Sequence, residues 1–406
     1  MPDKSHQLLW RRHLRWLLAT ILVVLSSTAA VNVLMDPLRI FNAPLWAGLN
    51  AKKPYLDHHR ELSRLHSALR VCADTGIFGN SRAEIGLDPL SPVFLSQGHV
   101  AFNHAIPGSG PRMPYRQLLW LGSAGCAPHN VVLGVDFFDF LGGTAARPLP
   151  SLQSDPLPRI NLRLLTESVF SVAGLRDSLE TLNVQYGQFK KESTAHGFNP
   201  LQNYVQEVAQ AGHFALFQQR AQENIARWSK KPARLQPSAS AQSDDQRVLA
   251  ATLALAGASG ATTRIVIYPY HAQIRIVMAR LGLNELFYDW KRQLLALAQQ
   301  QRALGVDVQV WDFSALSDYT LEPIPKAGDR KTQLAWYWEA GHFKPQLGER
   351  MLARMFGKDN AFGVQLAADN LEASIAADRA AMQRLLNQPG DLLHATDQLI
   401  ASTVKR

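Results

Sequence analysis

The chain has 406 residues, nearly half of them apolar, enough to bury one large core with insertions or two smaller ones. Its net charge of +9 comes from basic residues dispersed along the chain, with no basic–aromatic interleaving and no recognition motif. This argues against nucleic acid as a partner, and the positive balance fits anionic lipid or an acidic polymer. The two cysteines, Cys72 and Cys126, show no zinc-type spacing, and the sequence calls for no metal or other cofactor.

Lys4, Arg11, Arg12 and Arg15 precede Trp16 to Met35, an uncharged stretch of about twenty residues, the length that crosses a bilayer core. Basic residues before this span and Asp36 after it place the N-terminus in the cytoplasm and the bulk of the chain outside. A cleavable signal peptide is the rival reading, because Ser27-Thr28-Ala29 is a small-x-small site. The apolar run continues through Val31, Val33, Leu34 and Met35, which favours a retained single-pass anchor. Either way, the rest of the chain enters an oxidising compartment. There Cys72 and Cys126, each just before a predicted strand, form either a disulfide or a pair of buried thiols.

Residues 36–70 read as a juxtamembrane connection followed by a polar helix from Asp57 to Leu69. Short apolar runs then end in turn or polar residues. They are Ile77-Phe78, Val100 to Phe102, Val131 to Val135, Arg264 to Tyr268, and Val308 to Trp311. Such runs predict buried parallel strands. Helical stretches over Met113–Leu121 and over 273–304, broken near Gly282, alternate with them. The expected fold is therefore α/β, a mostly parallel five-stranded sheet with helices on both faces, and polar residues just past the strand ends carry the chemistry. Residues 144–262 interrupt the rhythm with two helical stretches and a polar loop over 229–246, and read as a helical insertion over the active edge or a connecting domain. Pro345 opens an amphipathic helix, and residues 358–406 form a helical tail. The organisation is thus a basic tail (1–15), an anchor (16–35), a linker and helix (36–70), the main domain (71–357) and the tail.

Two short motifs carry chemistry. In Gly79-Asn80-Ser81-Arg82, a serine at a strand tip can lift its hydroxyl clear of the sheet, although serines also cap ordinary helices. In Glu339-Ala340-Gly341-His342, a carboxylate three residues ahead of a histidine can orient the imidazole toward a nucleophile. Glu-x-x-His is also half of some metal sites, but no second such motif accompanies it.

The order of these blocks in an α/β chain resembles the SGNH (GDSL-type) hydrolase superfamily, over roughly residues 71–357 apart from the insertion. It is closest to the membrane-anchored, export-side branch linked to acylation of bacterial surface polysaccharides. Asn103 to Ser109, Gly134 to Phe138 and Pro269-Tyr270-His271 are further features expected in that branch. The resemblance implies a three-layer α/β/α fold. It makes Ser81 the nucleophile, His342 the base and Glu339 its orienter, with the Ser81 amide and Asn103 or Gly108 at the oxyanion. Arg82 and His271 become substrate contacts, with salt-bridge and structural roles as their rivals. Trp336 and Trp338 are either a sugar-stacking wall or core.

The chain departs from the family at three places: Asn80 replaces the first-block aspartate, Asp136 replaces the oxyanion asparagine, and Glu339 replaces an aspartate. The implied function is a periplasmic esterase or O-acyltransferase on the bacterial inner membrane. It would act on an exopolysaccharide or envelope glycan, alongside a membrane acyltransferase or polysaccharide-synthesis partner. The alternative is a catalytically inactive glycan-binding or scaffold subunit.

Overall fold

The five apolar runs assemble into one sheet in a computed structural model of the chain. It describes residues 4–56, 60–158, 162–186, 194–230, 233–236, 241–359 and 361–404. Strands β1 (Thr75–Phe78), β2 (Ala101–Asn103), β3 (Asn130–Val135), β4 (Thr262–Ile267) and β5 (Val308–Asp312) run parallel, in the order β2-β1-β3-β4-β5. β-Branched and other apolar side chains fill both faces, so β1 and β2 are wholly buried. Parallel neighbours need crossover connections, and the helices Arg112–Ser123, Asp244–Ala258 and Asn284–Ala303 lead into β3, β4 and β5. The second of these starts at a capping box, in which Ser243 and Gln246 satisfy each other's backbone N–H groups.

Further along lie β6 (Tyr337–Glu339) and β7 (His342–Phe343), a separate antiparallel hairpin. A last strand, β8 (Val364–Leu366), adds antiparallel to β5, so the sheet has six strands rather than the expected five. The chain is thus α/β with a mostly parallel sheet. Because β1 pairs with β2 on one side and β3 on the other, the strand order reverses there. Open α/β sheets bind ligands at that point, beyond the carboxyl ends of the strands.

Residues 144–262 do not form one insertion. The chain divides into two compact units, 1–66 with 158–192, and 67–157 with 193–406. Of the polar loop expected over 229–246, residues 231–232 and 237–240 lie outside the described residues. So do 57–59 at the start of the polar helix, which is described over Arg60–Val71, and 1–3 of the basic tail.

In the first unit, the helix Lys4–Met35 includes Leu9–Met35, long and apolar enough to cross a membrane. Its last carbonyls, which no further helical turn can satisfy, accept from Asn50 Nδ2 (to Leu34) and Lys53 Nζ (to Met35). Asn32, buried near that end, donates to the Val169 carbonyl and accepts from the Ser178 hydroxyl, so the helices Leu162–Phe170 and Val172–Asn183 are tied to it.

In the second unit, Cys72 and Cys126 are bonded, tying the entry to β1 to the entry to β3, a closure that stabilises by about 2–4 kcal/mol. The C-terminal helices are docked there. Asp378 forms a fully buried ion pair with Arg275, and Leu399 packs on Ala221, Ile225 and Val277.

Candidate active site

The turn after β1 is built to present Ser81. Gly79 has φ +146°, which side chains rarely adopt, and a Cβ there would stand 2.4 Å from the Tyr268 hydroxyl, so only glycine fits. Asn80 caps the helix Ser81–Gly86, its side-chain oxygen accepting from the Arg82 N–H at 3.1 Å. Ser81 therefore takes the first helical position, where the backbone N–H has no acceptor within the helix. This short helix lies close against the helix Pro345–Met355, with no room for a side chain between them. A Cβ on Gly348 would reach within 1.7 Å of the Gly86 carbonyl oxygen. That approach brings the segment carrying His342 alongside the serine.

Glu339 and His342 face each other as a pair across the β6–β7 hairpin, with Gly341 at its turn. The Ser81 hydroxyl lies 2.8 Å from His342 Nε2. On the other side of the ring, Nδ1–H donates to Glu339 Oε1, which leaves Nε2 free to accept the serine proton. Glu339 is buried and also accepts from the Gly341 N–H at 2.6 Å and from Arg220 Nε at 3.1 Å. Burial pushes its carboxyl upward, but His342, Arg220 and the Gly341 N–H outweigh this and hold it at about 2. The carboxylate therefore remains an anion throughout the neutral range. Arg220 sits on the helix Gln202–Trp228, which is interrupted at Gly212. That helix is fixed against β6 by the buried His213, whose Nδ1 lies 2.9 Å from the Trp338 carbonyl.

Asp136, just past β3, anchors the residues flanking the serine. Its carboxylate accepts from Asn80 Nδ2 at 3.0 Å, from Arg82 Nη1, from the Tyr270 hydroxyl at 2.8 Å and from the Phe138 N–H at 3.3 Å. The guanidinium of Arg82 also lies over the Tyr268 and Tyr270 rings. Four donors among the described residues thus surround the carboxylate. Beside it, burial and then the Asp136 charge push the Asp139 carboxyl up to about 8, against the pull of Arg82 and Arg227.

A cavity of about 340 Å³ opens at Ser81. Asn80, Arg82, Gly108 and Asp136 line it together with Asn224, Arg227 and Trp228. The chain after β2 reaches it through Gly108, whose φ of +70° turns the backbone along the rim.

Two expectations change, and one open alternative closes. Asn103 is no oxyanion donor: it is fully buried, and its Nδ2 group donates to the Ala83 and Leu87 carbonyls at 2.8 Å each, clamping the back of the serine helix. His271 is no substrate contact: it is fully buried, with Nε2 on the Glu322 carbonyl and Nδ1 accepting from the Gln273 N–H. Trp336 and Trp338 are absent from the cavity lining. Trp338 packs with Ile85 and Leu201, and Trp336 meets Tyr319 edge to face. Arg82 does line the cavity, and its guanidinium is paired with Asp136, the structural role weighed against a ligand contact.

Arg220, Asn224, Arg227 and Trp228 belong to no motif of the sequence. Only their spacing at i, i+4, i+7 and i+8, one face of a helix, marks them. Among the described residues, no group of three or more His, Cys, Asp or Glu is placed to hold a metal ion.

The fold and the geometry thus define an α/β protein with a Ser81–His342–Glu339 relay at the sheet's switch point. Comparison with protein-family models, with curated proteins and with solved structures finds no match.

Proposed function

We propose that this chain is a serine esterase or O-acyltransferase of SGNH type, with a three-layer α/β/α catalytic unit. The observation that carries the reading is the continuous relay from Ser81 through His342 to a buried, ionised Glu339. A serine hydroxyl becomes a useful nucleophile only when a base takes its proton, and His342 Nε2 is in position to do so. Ser81 Oγ attacks the acyl carbon as its proton moves to His342, and the Glu339 anion stabilises the imidazolium that forms. His342 then gives that proton to the departing alcohol oxygen, leaving an acyl-Ser81 ester. A water or a sugar hydroxyl, deprotonated by His342, attacks this ester and restores the serine. The Ser81 and Gly108 N–H groups are the oxyanion donors of this scheme, in place of Asn103.

The N-terminal helix and the disulfide support a setting for this reading. In this reading Leu9–Met35 is a single-pass anchor in a bacterial inner membrane, with the basic N-terminus cytoplasmic and the second unit periplasmic. The Cys72–Cys126 bond suits that oxidising compartment. The substrate is an acyl ester of an exopolysaccharide or envelope glycan, and a membrane acyltransferase or polysaccharide-synthesis protein is the fitting partner.

One observation favours a second reading, a catalytically silent glycan-binding or scaffold subunit: Asp136 puts a carboxylate in the cavity where the family has a neutral donor. Hydrolysis of p-nitrophenyl acetate by the full-length protein in detergent separates the two. The enzyme reading predicts turnover that falls at least about 10³-fold in Ser81→Ala. Absence of turnover, or turnover indifferent to Ser81→Ala, favours the silent subunit.

A further inference from the structure

In the first unit, the consecutive helices Leu162–Phe170 and Val172–Asn183 leave large apolar side chains uncovered among the described residues. Val172 is 83% exposed and Leu162 75%, and Leu165, Phe170 and Leu179 are exposed as well. Single exposed apolar residues are ordinary on a protein surface, but these fall together. At 3.6 residues per turn, Val172, Leu175, Leu179 and Leu182 form one stripe, and Leu162 and Leu165 share a face of the preceding helix.

Asn32 fixes the depth of this helix pair. It lies within the uncharged stretch Trp16 to Met35, three residues before its end. About twenty residues at a rise of 1.5 Å span roughly the 30 Å of a hydrocarbon core, which places Asn32 just inside that core. A side-chain amide there has no water to bond, and the helix pair supplies its partners. Asn32 Nδ2 donates to the Val169 carbonyl, and its oxygen accepts from the Ser178 hydroxyl, one partner from each helix. The approach is close, since a Cβ on Gly174 would stand 3.0 Å from Asn32 Nδ2. The pair therefore crosses the span at a depth that lipid reaches.

The far side of the pair gives its orientation. Residues 37–41, which continue from the end of the span, share a cavity of about 250 Å³ with Glu167 and Asp177 of the two helices. At about 100° per residue, Glu167 lies across its helix from Leu162 and Leu165, and Asp177 across its helix from Val172 and Leu179. The chain beyond the span is thus on one side of the pair, and the apolar stripe is on the other, facing back along the span.

Resting on the reading of Leu9–Met35 as a membrane anchor, we propose that this helix pair is a second membrane element, seated by its apolar stripe in the leaflet that receives the C-terminal end of the span. The partner of the stripe is the boundary between phospholipid headgroups and acyl chains, into which amphipathic helices sink by about 5–10 Å. Arg176 borders the stripe, where its stem runs along apolar surface and its charged end reaches lipid phosphate. Two contacts with the bilayer stop the first unit from swinging about the end of a single helix.

Cys72 and Cys126 are bonded to each other, so one introduced cysteine is the only free thiol for a nitrobenzoxadiazole label. The full chain carrying Val172→Cys or Leu179→Cys is labelled without reductant and placed in phosphatidylcholine vesicles. These contain phospholipid spin-labelled either near the headgroup or at mid-chain. Both positions should lose emission mainly to the shallow quencher, while Glu180→Cys, on the charged side of the same helix, keeps its emission with either. Val24→Cys, near the middle of the span, reads the anchor separately and should lose emission mainly to the mid-chain quencher. Unquenched, water-like emission at Val172→Cys and Leu179→Cys overturns the second membrane element, whatever Val24→Cys reports. Blue-shifted emission that neither quencher reaches overturns it in favour of a second copy covering the stripe, and equal quenching at Glu180→Cys overturns the one-sided seat. Quenching at the two helix positions with none at Val24→Cys sinks the anchor reading and leaves the helix pair in the lipid. Should the labelled variants fold poorly, a diazirine-bearing phospholipid photoreacted with the unmodified chain decides. Adducts within 162–182 support the seat, and adducts confined to the span overturn it.

Discussion

Two histidines in the second unit, His342 and His271, are both candidate site residues of the sequence, yet their surroundings are opposite. His342 keeps 14% of its side chain exposed, with a carboxylate at one ring nitrogen and a serine hydroxyl at the other. His271 is sealed between Phe217 and Tyr337, and both its nitrogens are satisfied by backbone groups. Burial pushes the His271 imidazole down to about 4, so it stays neutral and fixes the start of the helix Ala272–Arg280. A ring that hands a proton from one side chain to another needs partners that gain from the transfer, and His271 has none. The difference teaches that a histidine's role is decided by what its two nitrogens touch, more than by its place in a motif.

The contrast can be broken most forcefully at His342. His342→Ala should lower ester turnover by about 10⁴-fold or more in a chain that still melts cooperatively, read by kinetics and calorimetry on one preparation. Glu339→Gln keeps the shape but loses the anion and can present the wrong donor to the ring. It should cost about 10³-fold in kcat, with little change in KM. Arg220→Met removes one of the groups that hold the Glu339 carboxyl down. A loss of about tenfold in kcat is expected, with the acid limb of the pH–rate profile displaced, a change that a merely structural arginine would not produce.

His271 supplies the opposite limit. His271→Leu should change kcat less than about threefold while lowering stability in urea titrations at pH 7, since two backbone groups lose their partner. Its titration has a definite sign. The unfolded chain takes up the His271 proton below about pH 6.5, whereas the folded chain resists it until about 4. The stability tied to this ring is complete above the upper value and is lost as pH falls through that window, by on the order of 3 kcal/mol. His271→Leu should flatten the wild-type decline between pH 6.5 and 4.5. A further decline below about 4.5 belongs to Glu339, whose depressed carboxyl makes the folded state resist protonation there.

The sheet was legible because its signals are local. Runs such as Val131 to Val135 are short, apolar and rich in β-branched residues, and turn residues mark their ends, which is the pattern of a buried strand. Ser81 and the Glu339–His342 pair were legible for the same reason, since each motif fits within a few residues. Strand β8 was not, because Val364-Gln365-Leu366 is three residues long and takes its identity from pairing with β5. Arg220 lies 119 positions from Glu339 in a helix whose spacing there is ordinary, so only the fold brings the two together. Asn103 shows another limit. The apolar run before it leads to Asn103 and the structure makes it the last residue of β2, but position does not fix which way an amide points, and its donors turn back to hold the serine helix.

The direct measurement is fluorophosphonate labelling of the full-length protein in detergent, followed by peptide mapping. The account predicts a single modified site at Ser81, with labelling lost in both Ser81→Ala and His342→Ala. An unlabelled wild-type protein at every pH from mildly acid to mildly alkaline, or a label carried by another residue, would contradict it.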